Sequence, residues 1–363
     1  LNADVDLLDW LPAEIAGSQD CYSLPFCFAK RVTQTGREVS QEMRCAMRLT
    51  VQENLKIESV LRANKNYGVI LGLFILGLLW PVPLKAQHYV PGVLGIECST
   101  VPSPGLYALD YSYFYSAGQL NTTRGRKNPS ANLNAFVYAQ VPRLVWITNR
   151  KFLGGALGFE ASLPIVYQHV RFNTSSSVFR GNTSSVGDSL IGPLVGWHKG
   201  KFDYAGALGF YVPWGSSAAS PTTRAGLGYL GTMLSAGATW RPDRNKIWSL
   251  SALNRYEFNT EQRDSHITLG SVYTVEWGVS RSFTKTLAIG PSGYYQQKVS
   301  ADQGFNASSV LPRVAAAGPE VSWALPGPSL FVSWRYLYEF AAEGRPQGQT
   351  GTLTLTKRFG LNR

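Results

Sequence analysis

Leu330-Phe331-Val332-Ser333-Trp334-Arg335-Tyr336-Leu337-Tyr338-Glu339-Phe340 decides the fold. Successive side chains of a β-strand point to opposite faces. Leu330, Val332, Trp334, Tyr336, Tyr338 and Phe340 therefore share one oily face, and Phe331, Ser333, Arg335, Leu337 and Glu339 lie on the other, mostly polar one. The pattern recurs in Trp248, Leu250, Ala252, Tyr256 and Phe258 against Ser249, Ser251, Arg255, Glu257 and Asn259. It recurs again in Leu157, Phe159, Ala161, Leu163, Ile165 and Tyr167 against Glu160, Ser162 and Gln168. In a water-soluble sandwich such oily faces meet in a core. Here they are large and aromatic towards their ends, and the opposite faces carry charges of both signs, which suits lipid outside and a polar lumen inside.

Twelve such segments begin near Tyr107, Leu133, Gly154, Ser189, Phe202, Gly228, Trp248, Ile267, Leu287, Arg313, Leu330 and Gly348. The connections after even segments are short: 149–151, 199–201, 242–246, 284–285 and 326–328. Those after the first, third, fifth and ninth are long and polar: 119–132, 171–187, 216–227 and 301–312. Those after the seventh and eleventh are of middling length. Outer-membrane barrels have short periplasmic turns, long outer loops and an even strand count. The expected fold is all-β: a transmembrane antiparallel β-barrel of about twelve strands, residues 107–359, preceded by a periplasmic segment at 87–106 and followed by a tail at 360–363.

Composition agrees. Charged residues make up 16% of the chain, against about 25% in soluble domains, while Tyr (18), Phe (17) and Trp (10) are plentiful. Up to Ala86 there are nine basic and nine acidic residues; after it there are 25 and 14, so the net +11 lies wholly in the second part. Those cations are scattered between apolar runs, which fits anionic lipid headgroups and lipopolysaccharide and argues against nucleic acid. Cys98 is the lone cysteine after residue 86, so neither an internal disulfide nor a Cys/His metal site is expected there.

Residues 62–86 read as a signal peptide: a basic stretch at 62–67, a twelve-residue apolar run from Val69 to Trp80, and cleavage after Ala86. The run is shorter than the roughly 20 apolar residues that span a bilayer as a helix. Residues 1–61 have no periodicity and read as an N-terminal extension from a start site assigned too far upstream.

Taken in order, a set of short motifs resembles the outer-membrane protein family named for the meta-pathway of phenol degradation. They are Gly187-Asp188, Gly192-Pro193, Gly196-Trp197-His198 and Gly209-Phe210-Tyr211-Val212-Pro213-Trp214-Gly215. Tyr256-Glu257-Phe258-Asn259-Thr260, Glu276-Trp277, Gly293-Tyr294-Tyr295-Gln296-Gln297 and Gly318-Pro319-Glu320 follow, then Tyr338-Glu339-Phe340 and the closing strand from Gly348. The resemblance implies a barrel with a transport role near aromatic catabolism.

The alternation places Asp110, Glu160, Arg255, Glu257, Glu276, Glu320, Arg335 and Glu339 on the lumen face. Buried charge must pair or sit in water. The group is thus either a hydrogen-bonded filling that fixes the barrel or a polar constriction that selects solutes, with packing the favoured role. Tyr107, Tyr111, Tyr113 and Tyr115, with Trp146, Trp240, Trp248, Trp277, Trp323 and Trp334, are expected mainly as interfacial girdles. His88, His169, His198 and His266 are the only histidines, and a hydrolase would need Ser or Asp in hydrogen-bond reach of His169 or His266. The expected function is non-enzymatic, passive passage of small hydrophobic or aromatic compounds across the outer membrane. Two other readings are a closed barrel acting through its loops and, less favoured, a hydrolase. No cofactor is expected; the expected partners are outer-membrane lipid, lipopolysaccharide, the barrel assembly machinery and the solute.

Overall fold

The structure is a computed structural model that describes residues 89–174, 178–215, 225–263, 265–327 and 329–359. The signal peptide, the extension at 1–61, His88, the C-terminal tail and most of the 216–227 connection fall outside these residues. Among the described residues no helix is long and apolar enough to cross a membrane.

The strands are β1 (Gly105–Leu120), β2 (Ala131–Phe152), β3 (Gly155–Ser162), β4 (Ile165–Thr174), β5 (Val178–Val186), β6 (Ser189–Lys199) and β7 (Phe202–Val212). They continue as β8 (Gly231–Trp240), β9 (Trp248–Asn259), β10 (Val272–Ser282), β11 (Leu287–Lys298), β12 (Arg313–Leu325), β13 (Leu330–Glu343) and β14 (Pro346–Phe359). Pairing runs β1-β2-β3-β6 and onward through β14, which pairs back to β1, so twelve antiparallel strands close on themselves. Closure leaves no open edge around the ring of twelve, the condition for placing a sheet in lipid, while β5 beyond the ring pairs with β4.

The third and fourth walls are each broken once. Leu163-Pro164 separates β3 from β4, and Gly187-Asp188 separates β5 from β6. Proline removes a ladder donor, and β4 pairs with the outer half of β2 while β3 pairs with the inner half. Residues 171–187, read from sequence as a loop, therefore form much of the β4–β5 hairpin. Asn182, Thr183, Ser184 and Ser185 make this stretch polar at consecutive positions, so it reads as a loop. The connection after β13 is also shorter than expected, being Gly344-Arg345 alone.

At the opposite rim the turns are tight. Leu153 and Gly154 join β2 to β3 with φ of 49° and 80°, the paired left-handed geometry of a two-residue hairpin turn. Asp243 secures the β8–β9 turn by accepting bonds from the Ile247 and Trp248 amides at 2.7 and 2.9 Å.

Face assignments hold for most strands. In β9, Trp248, Leu250, Ala252 and Asn254 are exposed, and Ser249, Ser251, Leu253, Arg255, Glu257 and Asn259 are buried. β1 is the correction. Its inward residues are Tyr107, Tyr111 and Tyr113, all buried, and Phe114 faces out, so Asp110 lies on the outer face, where Gln140 donates to it. Both faces of β1 mix polar and aromatic groups, so its period was legible and its phase was not.

A second correction concerns the N-terminal segment. Residues 89–101, expected in the periplasm, run inside the barrel, from Tyr89 against Glu257 towards the loop rim to Thr100 against Asp203 at the short-turn rim. Wall glycines make room for it. A Cβ on Gly278 would lie 2.7 Å from the Ile96 Cα, and one on Gly196 would lie 2.4 Å from the Val101 Cβ.

A positive charge on the outer face at mid-wall should be costly. Ala252→Arg is expected to destabilise the barrel by about 2–4 kcal/mol, as basic residues do at a bilayer midplane, and Ala252→Leu to change it little. Urea unfolding in lipid vesicles measures both; equal midpoints would place Ala252 away from lipid.

Candidate functional site

The lumen is organised around three buried carboxylates, on β9, β10 and β12. Glu276, with none of its surface exposed, accepts bonds from the Tyr89 hydroxyl at 2.5 Å, the Gly92 amide at 3.0 Å and the Leu94 amide at 3.1 Å. Glu257 accepts from the Tyr89 amide at 2.9 Å, and Glu320 from the Ile96 amide at 2.9 Å. Outside a strand ladder these backbone donors need acceptors, and a bond to a charged acceptor contributes roughly 1.5–3 kcal/mol.

The charges are balanced in place. Arg255 donates to Glu276 at 3.3 Å and lies over the Tyr89 ring at 4.3 Å. Arg335 donates to Glu320 at 3.0 Å and also to the carbonyls of Gly92 and Val93. Gln296 donates to the Tyr89 carbonyl at 3.2 Å, and Thr352 to the Gly92 carbonyl at 3.1 Å. Near the short-turn rim Arg241 joins Glu97 of the segment to Asp203 of the wall, and Ser99 donates to the Ala252 carbonyl at 2.7 Å. Removing one partner of such a network strands the other charge in a buried site.

Of the eight lumen residues read from sequence, Arg255, Glu257, Glu276, Glu320 and Arg335 converge on the N-terminal segment. Glu160 is in the lumen but pairs with Arg143. Glu339 accepts from Tyr294 at 2.8 Å, Tyr115 at 3.0 Å and the Gly348 amide at 2.7 Å. Asp110 is not part of the lumen. Sequence reasoning missed Arg143, Asp203, Arg241, Arg345 and the whole segment. Parity alone could have found Arg143, which lies on the inward face of β2 next to Val145 and Ile147.

Two cavities remain beside the segment, of about 310 and 410 Å3. The smaller lies towards the short-turn rim, among Ser99, Val101, Arg143, Val145 and Leu194; the larger lies towards the loop rim, among Tyr89, Tyr113, Tyr115, Val137 and Tyr211. Both are lined by Val93 and Tyr111. The β1 tyrosines, expected as girdle residues, thus face the free space, while the tryptophans Trp146, Trp240, Trp248, Trp323 and Trp334 are exposed on the outside.

Neither His169 nor His266 has a Ser or Asp in hydrogen-bond reach among the described residues, whereas His198 pairs with Asp203 at 2.6 Å at the short-turn rim, where Arg241 also binds that carboxylate. His169 contacts Asn182 at 3.2 Å and His266 contacts Glu261 at 2.6 Å. Nor do His, Cys, Asp and Glu gather there into a group able to hold a metal ion.

Comparison with known proteins now places the chain. The model of the family described as "Putative MetA-pathway of phenol degradation" matches residues 117–355. The chain belongs to that family. Among solved structures it is similar to the COG4313 outer membrane channel from Pseudomonas putida F1, at 12% identity and a TM-score of 0.62, covering 75% of this chain and 100% of that one. It is more distantly similar to the transport unit of the autotransporter AIDA-I from Escherichia coli, at 11% identity and a TM-score of 0.44, covering 71% and 91%. A Pseudomonas aeruginosa FadL homologue matches at 10% identity and a TM-score of 0.34, covering 71% and 91%. No curated protein matches in sequence. This member of the phenol meta-pathway family is a bacterial outer-membrane barrel of channel-like architecture.

Glu276→Ala removes three acceptor contacts to the segment, and Gly278→Ala pushes on it sterically without touching a charge. Both variants are expected to raise single-channel conductance several-fold in planar bilayers. Conductance equal to that of the unaltered barrel in both would show that the segment is not the obstruction.

Proposed function

We propose that this barrel passes small hydrophobic or aromatic compounds through the outer membrane passively, along the side of the lumen that the N-terminal segment leaves free. The reading is carried by one observation: the cavities on the two sides of Val93 share a wall of β1 tyrosines.

The segment is held on the polar side, by Glu257, Glu276, Glu320, Arg335 and Thr352, and the remaining space is bounded mainly by Tyr111, Tyr113, Tyr115, Val137, Ala139 and Val141, with Gln168, Asp188, Glu339 and Arg345 also on its lining. Ring faces and small aliphatic groups bind a planar apolar solute by contact and offer little to a hydrated one. The paired charges act as packing that fixes the segment. No chemical step is required of the chain, and the reading is of a non-enzyme.

A closed barrel working through its loops is the second reading. What favours it is the segment itself, which fills the polar side of the lumen.

The two separate in cells whose lipopolysaccharide leaflet limits entry. Expression of the barrel is expected to raise the initial uptake rate of labelled p-cresol several-fold at low concentration, leaving sucrose unchanged. Equal cresol rates with and without the barrel would favour the closed reading.

A further inference from the structure

Asp110 is a group that lipid cannot satisfy. The carboxylates of Glu160, Glu257, Glu276, Glu320 and Glu339 are buried in the lumen, whereas Asp110 shares the outward face of β1 with Phe114, which is 43% exposed. The register sets Asp110 beside Leu355 of β14 and Pro142 of β2, and Ser112 beside Leu353 and Gln140. A tilted strand crosses the hydrocarbon in about 9–11 residues. Trp146, exposed and registered with Leu106, marks the short-turn edge of that band. Asp110 lies roughly 13 Å further along β1, at about 3.3 Å per residue. Its side chain is too short to reach the headgroups from there.

The carboxylate ends a small polar chain on this face. Gln140 donates to Asp110, Tyr138 donates to the Gln140 carbonyl, and Ser112 donates to that carbonyl at 3.1 Å. The chain is unfinished. Asp110 accepts through Oδ2, while Oδ1 is tucked against the wall with no partner among the described residues. A carboxylate has about four acceptor positions and a side-chain amide carries two N–H donors, so these bonds use one Gln140 donor and leave acceptors over. Asn254, an outward amide of β9, is by contrast complete within its own wall: it donates to the Ala236 carbonyl at 3.2 Å and accepts from the Tyr273 hydroxyl at 2.6 Å. Acyl chains offer neither donor nor acceptor, so an ionisable group at this depth calls for a protein partner.

The patch itself names that partner. It holds acceptors and a spare donor side by side, which makes it complementary to a copy of itself. Copies of one barrel share one orientation in the membrane, and a twofold axis along the membrane normal sets equivalent residues at equal depth. Gln140 of each copy is then level with Asp110 and Ser112 of the other. Shape agrees. Phe114 projects beside its register partner Gly351 of β14, where an added Cβ would meet nothing within 4 Å. An axis passing there lays each Phe114 ring into the dent over the other copy's Gly351.

We propose that the outward face of β14, β1 and β2 is an isologous interface, on which two copies of this chain pair side by side in the membrane through Asp110, Ser112, Phe114 and Gln140. The proposal is independent of which solute the barrel passes.

Oxidative cross-linking in intact outer membranes tests it first. Ser112→Cys, treated with copper phenanthroline, is expected to give several-fold more covalent dimer than Ala252→Cys, which sits outward on β9. The unaltered chain, whose Cys98 faces the inside of the barrel, should give none. Energy transfer between labelled full-length barrels in lipid vesicles then gives the dissociation constant. Asp110→Leu and Gln140→Leu are each expected to weaken pairing about tenfold, the worth of one buried hydrogen bond, and Asp110→Asn, which keeps the hydrogen bonds, to change it little. Heat-modified gel mobility checks that each variant is a folded barrel. Ser112→Cys dimer no greater than that of Ala252→Cys, no energy transfer in the unaltered barrel, or Asp110→Leu pairing as tightly as the unaltered chain would each overturn the interface. A Ser112→Cys adduct with a different protein in place of the dimer would also overturn it, by giving the face to another partner.

Discussion

The carboxylate of Glu276 is the contact on which the interior depends. It is sealed from solvent and bonded at once to the Tyr89 hydroxyl and to two backbone amides of a segment that has no ladder of its own. Closing twelve strands solves the backbone problem in lipid but leaves a lumen whose inward charges need partners. The chain supplies them by turning its own N-terminal residues inward. Glu257 and Glu320 repeat the device one strand before and two strands after Glu276, and Arg255 and Arg335 keep the cluster near neutrality.

This arrangement divides the lumen. One side is polar, occupied and rigid; the other is lined by the tyrosine face of β1 and the small residues of β2. The division follows from sequence at the level of individual strands. β9, β10, β12 and β13 carry inward Glu and Arg, whereas β1 carries Tyr at alternate positions and β2 carries Ala135, Val137, Ala139 and Val141. A solute path beside the segment needs no large opening, because its walls are already shaped by the groups that do not bind the segment.

Much of the wall was legible beforehand, and the reasons for success and failure are physical. Strands with one oily and one charged face, such as β9 and β13, fix their own phase, so Arg255, Glu257, Arg335 and Glu339 were placed correctly. β1 has no such asymmetry, and Asp110 was put on the wrong side. Gly187-Asp188 looks like the end of a loop because local signals do not reveal that the ladder already runs through Val178–Val186 before it. The segment at 89–101 was invisible for a different reason. Its hydrogen-bond partners lie on β7 and on β9 to β14, more than 100 residues away, and no periodicity in the segment announces them. Tyr113 was visible as a residue and misread as a girdle aromatic, because spacing cannot distinguish a ring facing lipid from one facing a cavity.

Amide hydrogen exchange of the folded barrel in lipid tests the central claim most directly. The account predicts that the Gly92, Leu94 and Ile96 amides, bonded to buried carboxylates, exchange as slowly as those of the neighbouring wall strands. Exchange at the rate of an unstructured peptide would contradict it.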